Sequence, residues 1–76
     1  MKSDLDMYVI NKVKTKRVEK GLSQQAFADY NNLSQSFITH CENPKQHEKY
    51  NLYHIHAFAK FFECSLYEFI PEYPID

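Results

Sequence analysis

RVEKGLSQQAFADYNNLSQSFITHCE, residues 17–42, decides the reading of this chain, because its spacing describes two short helices joined by a tight turn. Ser23 can cap a helix beginning at Gln24, its side-chain oxygen accepting from an early backbone N–H. Phe27, Ala28 and the aliphatic part of Tyr30 supply that helix's inner side. Asn31 and Asn32 interrupt the pattern. Asn tolerates a left-handed backbone better than most residues, so Asn32 is expected to make the turn. Leu33 plugs the corner and Ser34 caps a second helix, whose Ile38 and Cys41 share a face three residues apart. Asn43-Pro44 ends it, because the residue before proline disfavours the helical region. Ala28, Asn32 and Ile38 thus occupy the small, turn-forming and apolar positions of a helix-turn-helix, a unit able to place its second helix in the DNA major groove.

Outward from this stretch the pattern stays helical. Ile10, Val13 and Arg17 mark one stripe of a first helix running from Leu5 or Asp6 to Lys20, with Gly21 as its stop. The motif helices are expected at about 24–31 and 35–42, followed by a polar loop over 43–50. Asn51 can cap a fourth helix in which Leu52, Ile55, Phe58, Ala59 and Phe62 recur at helical spacing. Ser65-Leu66-Tyr67-Glu68 reads as a capping box, so a short fifth helix is expected before Pro71. No strand alternation, internal repeat or linker is present. The expectation is one domain over 1–76, with a core of about 6–70 and a tail of 71–76.

Composition narrows the classes. Twelve aromatics (six Tyr, six Phe) among 76 residues suffice for one core. No apolar run is long enough to span a membrane, and Met1 to Asp6 is polar rather than a signal peptide, so a cytoplasmic protein is expected. Cys41 and Cys64 fall where the pattern wants small apolar side chains and read as buried thiols. His54 and His56 leave a helix on different sides, and no zinc spacing occurs, so neither metal nor cofactor is expected. The net charge is −1, but unevenly spread. Lys12, Lys14, Lys16, Arg17 and Lys20 face Glu19 alone, whereas Glu63, Glu68, Glu72 and Asp76 have no Lys or Arg among residues 61–76. A basic patch on a near-neutral protein still attracts phosphates at short range.

Val13-Lys14-Thr15-Lys16-Arg17, Gly21-Leu22-Ser23-Gln24, Phe27-Ala28 and Ser34-Gln35-Ser36 through Glu42-Asn43 together resemble the phage repressor/Cro, or xenobiotic-response-element, class of DNA-binding domain. The likeness continues through Ile55, Ala59, Phe62 and Ser65-Leu66 to Phe69, covering roughly residues 8–70. Asn31 stands where an apolar residue is usual, Asn32 where Gly is, and Pro44 where Gly follows Glu-Asn. The resemblance implies an all-α, compact five-helix bundle of the lambda-repressor-like type. It also implies that helix three presents Gln35, Ser36, Thr39 and His40 to base edges. Gln can bond adenine at two major-groove atoms, Ser is a permissive partner, and a Thr methyl can meet a thymine methyl. Lys14, Lys16 and Arg17 are implied beside the phosphates, joined by Gln24 at the start of helix two, where backbone donors favour an anion. In similar domains the residues matching Arg17 and Glu42 form a partly buried ion pair.

The expected function is therefore a DNA-binding transcriptional regulator, repressor-like and acting as a homodimer through the C-terminal helix and tail. Leu66, Phe69, Ile70, Tyr73 and Ile75 are the candidates for that interface. Two other readings stand beside it: an antitoxin binding both DNA and a partner protein, and a protein-interaction module on the same fold without DNA binding. An enzyme is not expected, since one Gly leaves no phosphate loop and no nucleophile–base constellation is visible.

Overall fold

Ser3 starts the first helix earlier than the apolar stripe alone suggests. Its hydroxyl accepts from Asp6 N–H while the Asp6 carboxylate accepts from Ser3 N–H, a reciprocal capping box. In this computed structural model, which describes residues 1–75, α1 consequently spans Asp4–Glu19. Asp76, the end of the expected tail, lies outside the described residues. Helix α2 is Gln24–Tyr30, α3 is Gln35–Glu42 and α4 is Leu52–Phe62. No strand occurs among the described residues.

Each join is fixed by local chemistry. Gly21 follows α1 with φ of 74°, and its N–H and that of Leu22 return to the carbonyls of Val18 and Arg17. A Cβ on Gly21 would meet nothing within 4 Å, so its glycine serves backbone conformation rather than space. Asn32 repeats the device after α2, with φ of 57°, as Leu33 N–H reaches back to Ala28 O. The Asn31 side-chain amide donates to Phe27 O at 3.0 Å, which satisfies a polar group at the end of α2. Ser23, Ser34 and Asn51 cap α2, α3 and α4.

The expected fifth helix is a single 3-10 turn over Leu66–Glu68. Ser65 accepts from Tyr67 N–H, but Glu68 does not close the capping box. Its carboxylate instead meets Lys16 on α1 at 3.1 Å. The turn delivers Phe69 into the core, and Pro71 follows before a second helical turn can form.

The core gathers on Phe27, whose ring lies 4.9 Å from Phe58 and 5.6 Å from Phe62, centroid to centroid. Val13, Ala28, Ile38, Ile55, Ala59 and Phe69 complete it. The Cα radius of gyration, 11.7 Å, matches the ~11.4 Å expected of a compact domain this size. Two expected inward residues face solvent. Leu52 sits one turn before the packed face of α4 with little over it, and Tyr30 only lays its ring beside Phe61. Phe69, expected as possible interface, is fully buried.

Glu63 closes α4 in the left-handed region with φ of 55°, where an L side chain is strained. It is exposed, and its side chain makes no hydrogen bond or ion pair among the described residues. Glu63→Gly should therefore stabilise the domain by about 1 kcal/mol, read as a higher midpoint in thermal or urea unfolding; a lower midpoint would contradict this account of the α4 terminus.

Candidate nucleic-acid interface

A buried charge organises the α1, α2 and α3 helices. Glu42, in the last turn of α3, has a side chain only 5% exposed, and Arg17 of α1 one that is 9% exposed. The guanidinium donates from Nε to Glu42 Oε2 and from Nη2 to Oε1, both at 3.0 Å, and from Nη1 to Leu22 O at 2.8 Å. This is a fork-on-fork pair with a third bond into the α1–α2 turn. Gln24 adds a fourth contact, donating from Nε2 to Glu42 Oε1 at 2.9 Å. Its Oε1 in turn accepts from the Thr39 hydroxyl at 2.7 Å. The chain Arg17–Glu42–Gln24–Thr39 ties α1, α2 and α3 together through one ion pair and the hydrogen bonds that continue from it.

The C-terminal end of α3 is held a second time. Lys2 Nζ donates to the carbonyls of His40, Cys41 and Asn43 at 2.9, 2.6 and 2.7 Å. A cation there satisfies carbonyls that the helix leaves open and complements its dipole. The loop is fixed alongside: Asn43 Oδ1 accepts from Lys45 N–H, and His40 Nδ1 lies 3.0 Å from Glu48 Oε2. That contact with His40 holds the Glu48 carboxyl below its usual range.

At the other end α3 is open. Gln35, Ser36 and Thr39 are exposed and His40 half-buried, while Ile38 and Cys41 point inward. Phe37 packs its ring on His54 and Tyr50 rather than facing out. Burial pushes the Cys41 thiol up to about 12, so it stays a neutral core group at physiological pH. Cys64 is half-buried and shifted the same way by the same cause.

The expected contact residues divide accordingly. Gln24, Gln35, Ser36, Thr39 and His40 share the α2–α3 unit. Lys14 is exposed on α1 and in no ion pair among the described residues. Lys16, two residues on, leaves the helix about 200° around from it and is engaged by Glu68, whose hydrogen bond raises the lysine's pKa. Lys14 and Lys16 are therefore not brought together. Arg17 has its guanidinium enclosed by Glu42 and Leu22. Sequence reasoning missed Lys2, since a lone lysine in a polar N-terminus reads as solvated. It also missed the bridging amide of Gln24, for which only the Gln24–Thr39–Glu42 spacing across the turn offered a signal. Among the described residues no group of three or more His, Cys, Asp or Glu side chains could hold a metal ion.

No protein-family model matches the chain, and no curated protein matches it.

The clamp carries a stability prediction. Glu42→Ala would strand a buried guanidinium and should cost about 3–5 kcal/mol, whereas replacing both partners by apolar residues, Arg17→Met with Glu42→Leu, should restore most of it. Urea unfolding of the single and double variants checks this. A single variant within 1 kcal/mol (about fivefold in the folding equilibrium) of the parent would show that the pair is not buried in solution.

Proposed function

We propose that this chain is a sequence-specific DNA-binding regulator of the phage repressor/Cro class, on a lambda-repressor-like fold whose fifth helix is reduced to one 3-10 turn. The observation that carries the reading is the α2–α3 unit. Its second helix is anchored at its C-terminal turn by Arg17, Gln24 and Lys2, while its N-terminal face is exposed and polar. A helix locked at one end and open at the other suits insertion into a major groove. On this reading Gln35 and Ser36 meet base edges, with Thr39 and His40 one turn on. Gln24 and Lys14 meet phosphates, and Arg17 orients α3 rather than contacting DNA itself. The proposal assigns no catalysis and no cofactor. It includes a cytoplasmic location, where a regulator meets its DNA; among the described residues no helix is long and apolar enough to cross a membrane.

The reading extends to a homodimer, because one small module buries little surface on DNA. Leu66, Tyr73 and Ile75 are exposed near the C-terminus, and Leu52 and Tyr53 on α4 add to them. Those same residues favour a second reading, in which a different protein, as for an antitoxin, covers this surface.

Duplex binding measured against salt tests the central reading. Lys14→Ala should weaken binding to all sequences alike and lower the salt slope by about 1, while Gln35→Ala should cost roughly 1–3 kcal/mol at one base position only. Absence of salt-dependent duplex binding would remove the proposal and leave a protein-interaction module.

Stoichiometry tests the dimer. Two chains should occupy a palindromic site with half-site centres about 34–36 Å apart, and Tyr73→Asp, at a side chain 75% exposed, should abolish the pairing without unfolding the monomer. Pairing untouched by that charge would move the interface elsewhere.

A further inference from the structure

An imidazole lone pair caps α4. His54 stands at the third position of the helix, where a capping box usually holds Glu or Gln. Its Nδ1 lies 2.9 Å from Asn51 N, and a backbone N–H can only donate, so Nδ1 is unprotonated and the ring proton sits on Nε2. Asn51 Oδ1 completes the box by accepting from His54 N–H at 3.0 Å. The same ring supports α3: its centroid lies 5.1 Å from that of Phe37, with Tyr50 of the loop at 5.8 Å and Phe58 of α4 at 6.3 Å. Burial holds this imidazole below its ordinary value of 6.5. The charged groups on the surrounding elements are turned elsewhere. On α3, His40 meets Glu48, Glu42 meets Arg17 and Cys41 is buried in the core. In the loop, Glu48 meets His40, Lys49 meets Asp6, and burial raises the Tyr50 phenol so that it stays neutral. On α4, His56 leaves the helix about 200° around from His54. The loop is also the least satisfied segment: Glu48 Oε1 and Tyr50 Oη are buried with no hydrogen-bond partner among the described residues.

We propose that His54 is a proton-operated latch: a proton taken up at Nδ1 sets two donors against each other at Asn51, opens the first turn of α4 and loosens the ring contact that supports α3. The new cation would also oppose the positive end of the α4 dipole. The folded form binds this proton less readily than the unfolded chain. The latch therefore stabilises fully above pH 6.5, and its contribution is lost as the pH falls from there through the folded value. The Glu48 and Asp6 carboxyls, also held low, begin to lose theirs only below 4.5 and 3.8, so the interval from 6.5 to 4.5 belongs to the histidines. His40 responds in the opposite sense, since its contact with Glu48 becomes an ion pair on protonation. Acid thus holds the loop to α3 while releasing it from α4. The inference goes beyond the proposed function and does not depend on what α3 binds.

Heteronuclear NMR of the labelled full chain through this interval tests the latch. His54 should be the Nε2–H tautomer at neutral pH and titrate below 6.5, and the Asn51 amide and Phe37 ring should shift with the same midpoint. His54→Gln keeps an acceptor at the third position and does not titrate. In urea its folded-to-unfolded ratio should gain on the parent's by up to about tenfold per pH unit as the pH falls, the limit for one proton. An Nδ1–H tautomer, a midpoint at or above 6.5, an Asn51 amide unmoved by the titration, or parallel pH dependence of parent and variant would overturn the proposal. The tautomer and midpoint are read on the parent, so they decide the matter even where His54→Gln does not fold. DNA enters none of these readouts, which keeps failure of the latch distinct from failure of the major-groove reading.

Discussion

The carboxylate of Glu42 is the constraint on which the arrangement of this domain depends. A charge with a side chain 5% exposed must be met by hydrogen bonds or the helix carrying it would shift to reach water. Arg17 meets it from α1 with two parallel bonds, and Gln24 meets it from the first turn of α2. Three helices are thereby referenced to one atom pair. The angle between α2 and α3 follows from that geometry together with the left-handed Asn32 and the caps at Ser23 and Ser34. Such a pair adds little net stability compared with a well-packed apolar alternative. Its use here is orientation: a directional bond fixes how α3 turns about its own axis, which Ile38 and Cys41 alone would constrain less sharply.

Anchoring is concentrated at one end of α3. Lys2 binds three carbonyls there, His40 and Glu48 secure the following loop, and Thr39 is held by Gln24. The opposite end, Gln35 and Ser36, carries no such attachments beyond the Ser34 cap. Charge is divided in a related way. Lys16 is drawn to Glu68 in the acidic C-terminal segment, whereas Lys14 remains unpaired among the described residues. A near-zero net charge therefore conceals a local difference in which cations are available to an outside partner.

The helices were legible where a cap and an apolar stripe agreed. Ile10, Val13 and Arg17 predicted the inner face of α1, and Ile55, Phe58 and Ala59 that of α4. Asn32 predicted its turn, because few other residues accept that backbone conformation. The errors arose where a local signal met a distant competitor. Glu68 had the spacing of a capping box, but Lys16 took its carboxylate, and the fifth helix shrank to a turn. Leu52 and Tyr30 fit the periodicity, yet Leu52 stays exposed at the start of α4, and Tyr30 lies beyond the packed edge of Phe61. At the candidate interface the residue types on α3 were visible in the sequence. Which of their polar atoms remain free was not, because that depends on Gln24 and Glu48 arriving from other segments. Lys2 was illegible for the same reason: its partners lie about forty residues away along the chain.

The most direct measurement is the amide chemical-shift response of the labelled chain to a short duplex at low salt. The account predicts, for a duplex carrying a single half-site and so binding one chain, that the largest changes fall on Gln24, on Ser34 through Thr39 and on Lys14, with α4 and residues 66–73 little affected. Changes confined to α4 and the C-terminal segment, or no change at all, would contradict the assignment of α3 as the DNA-reading helix.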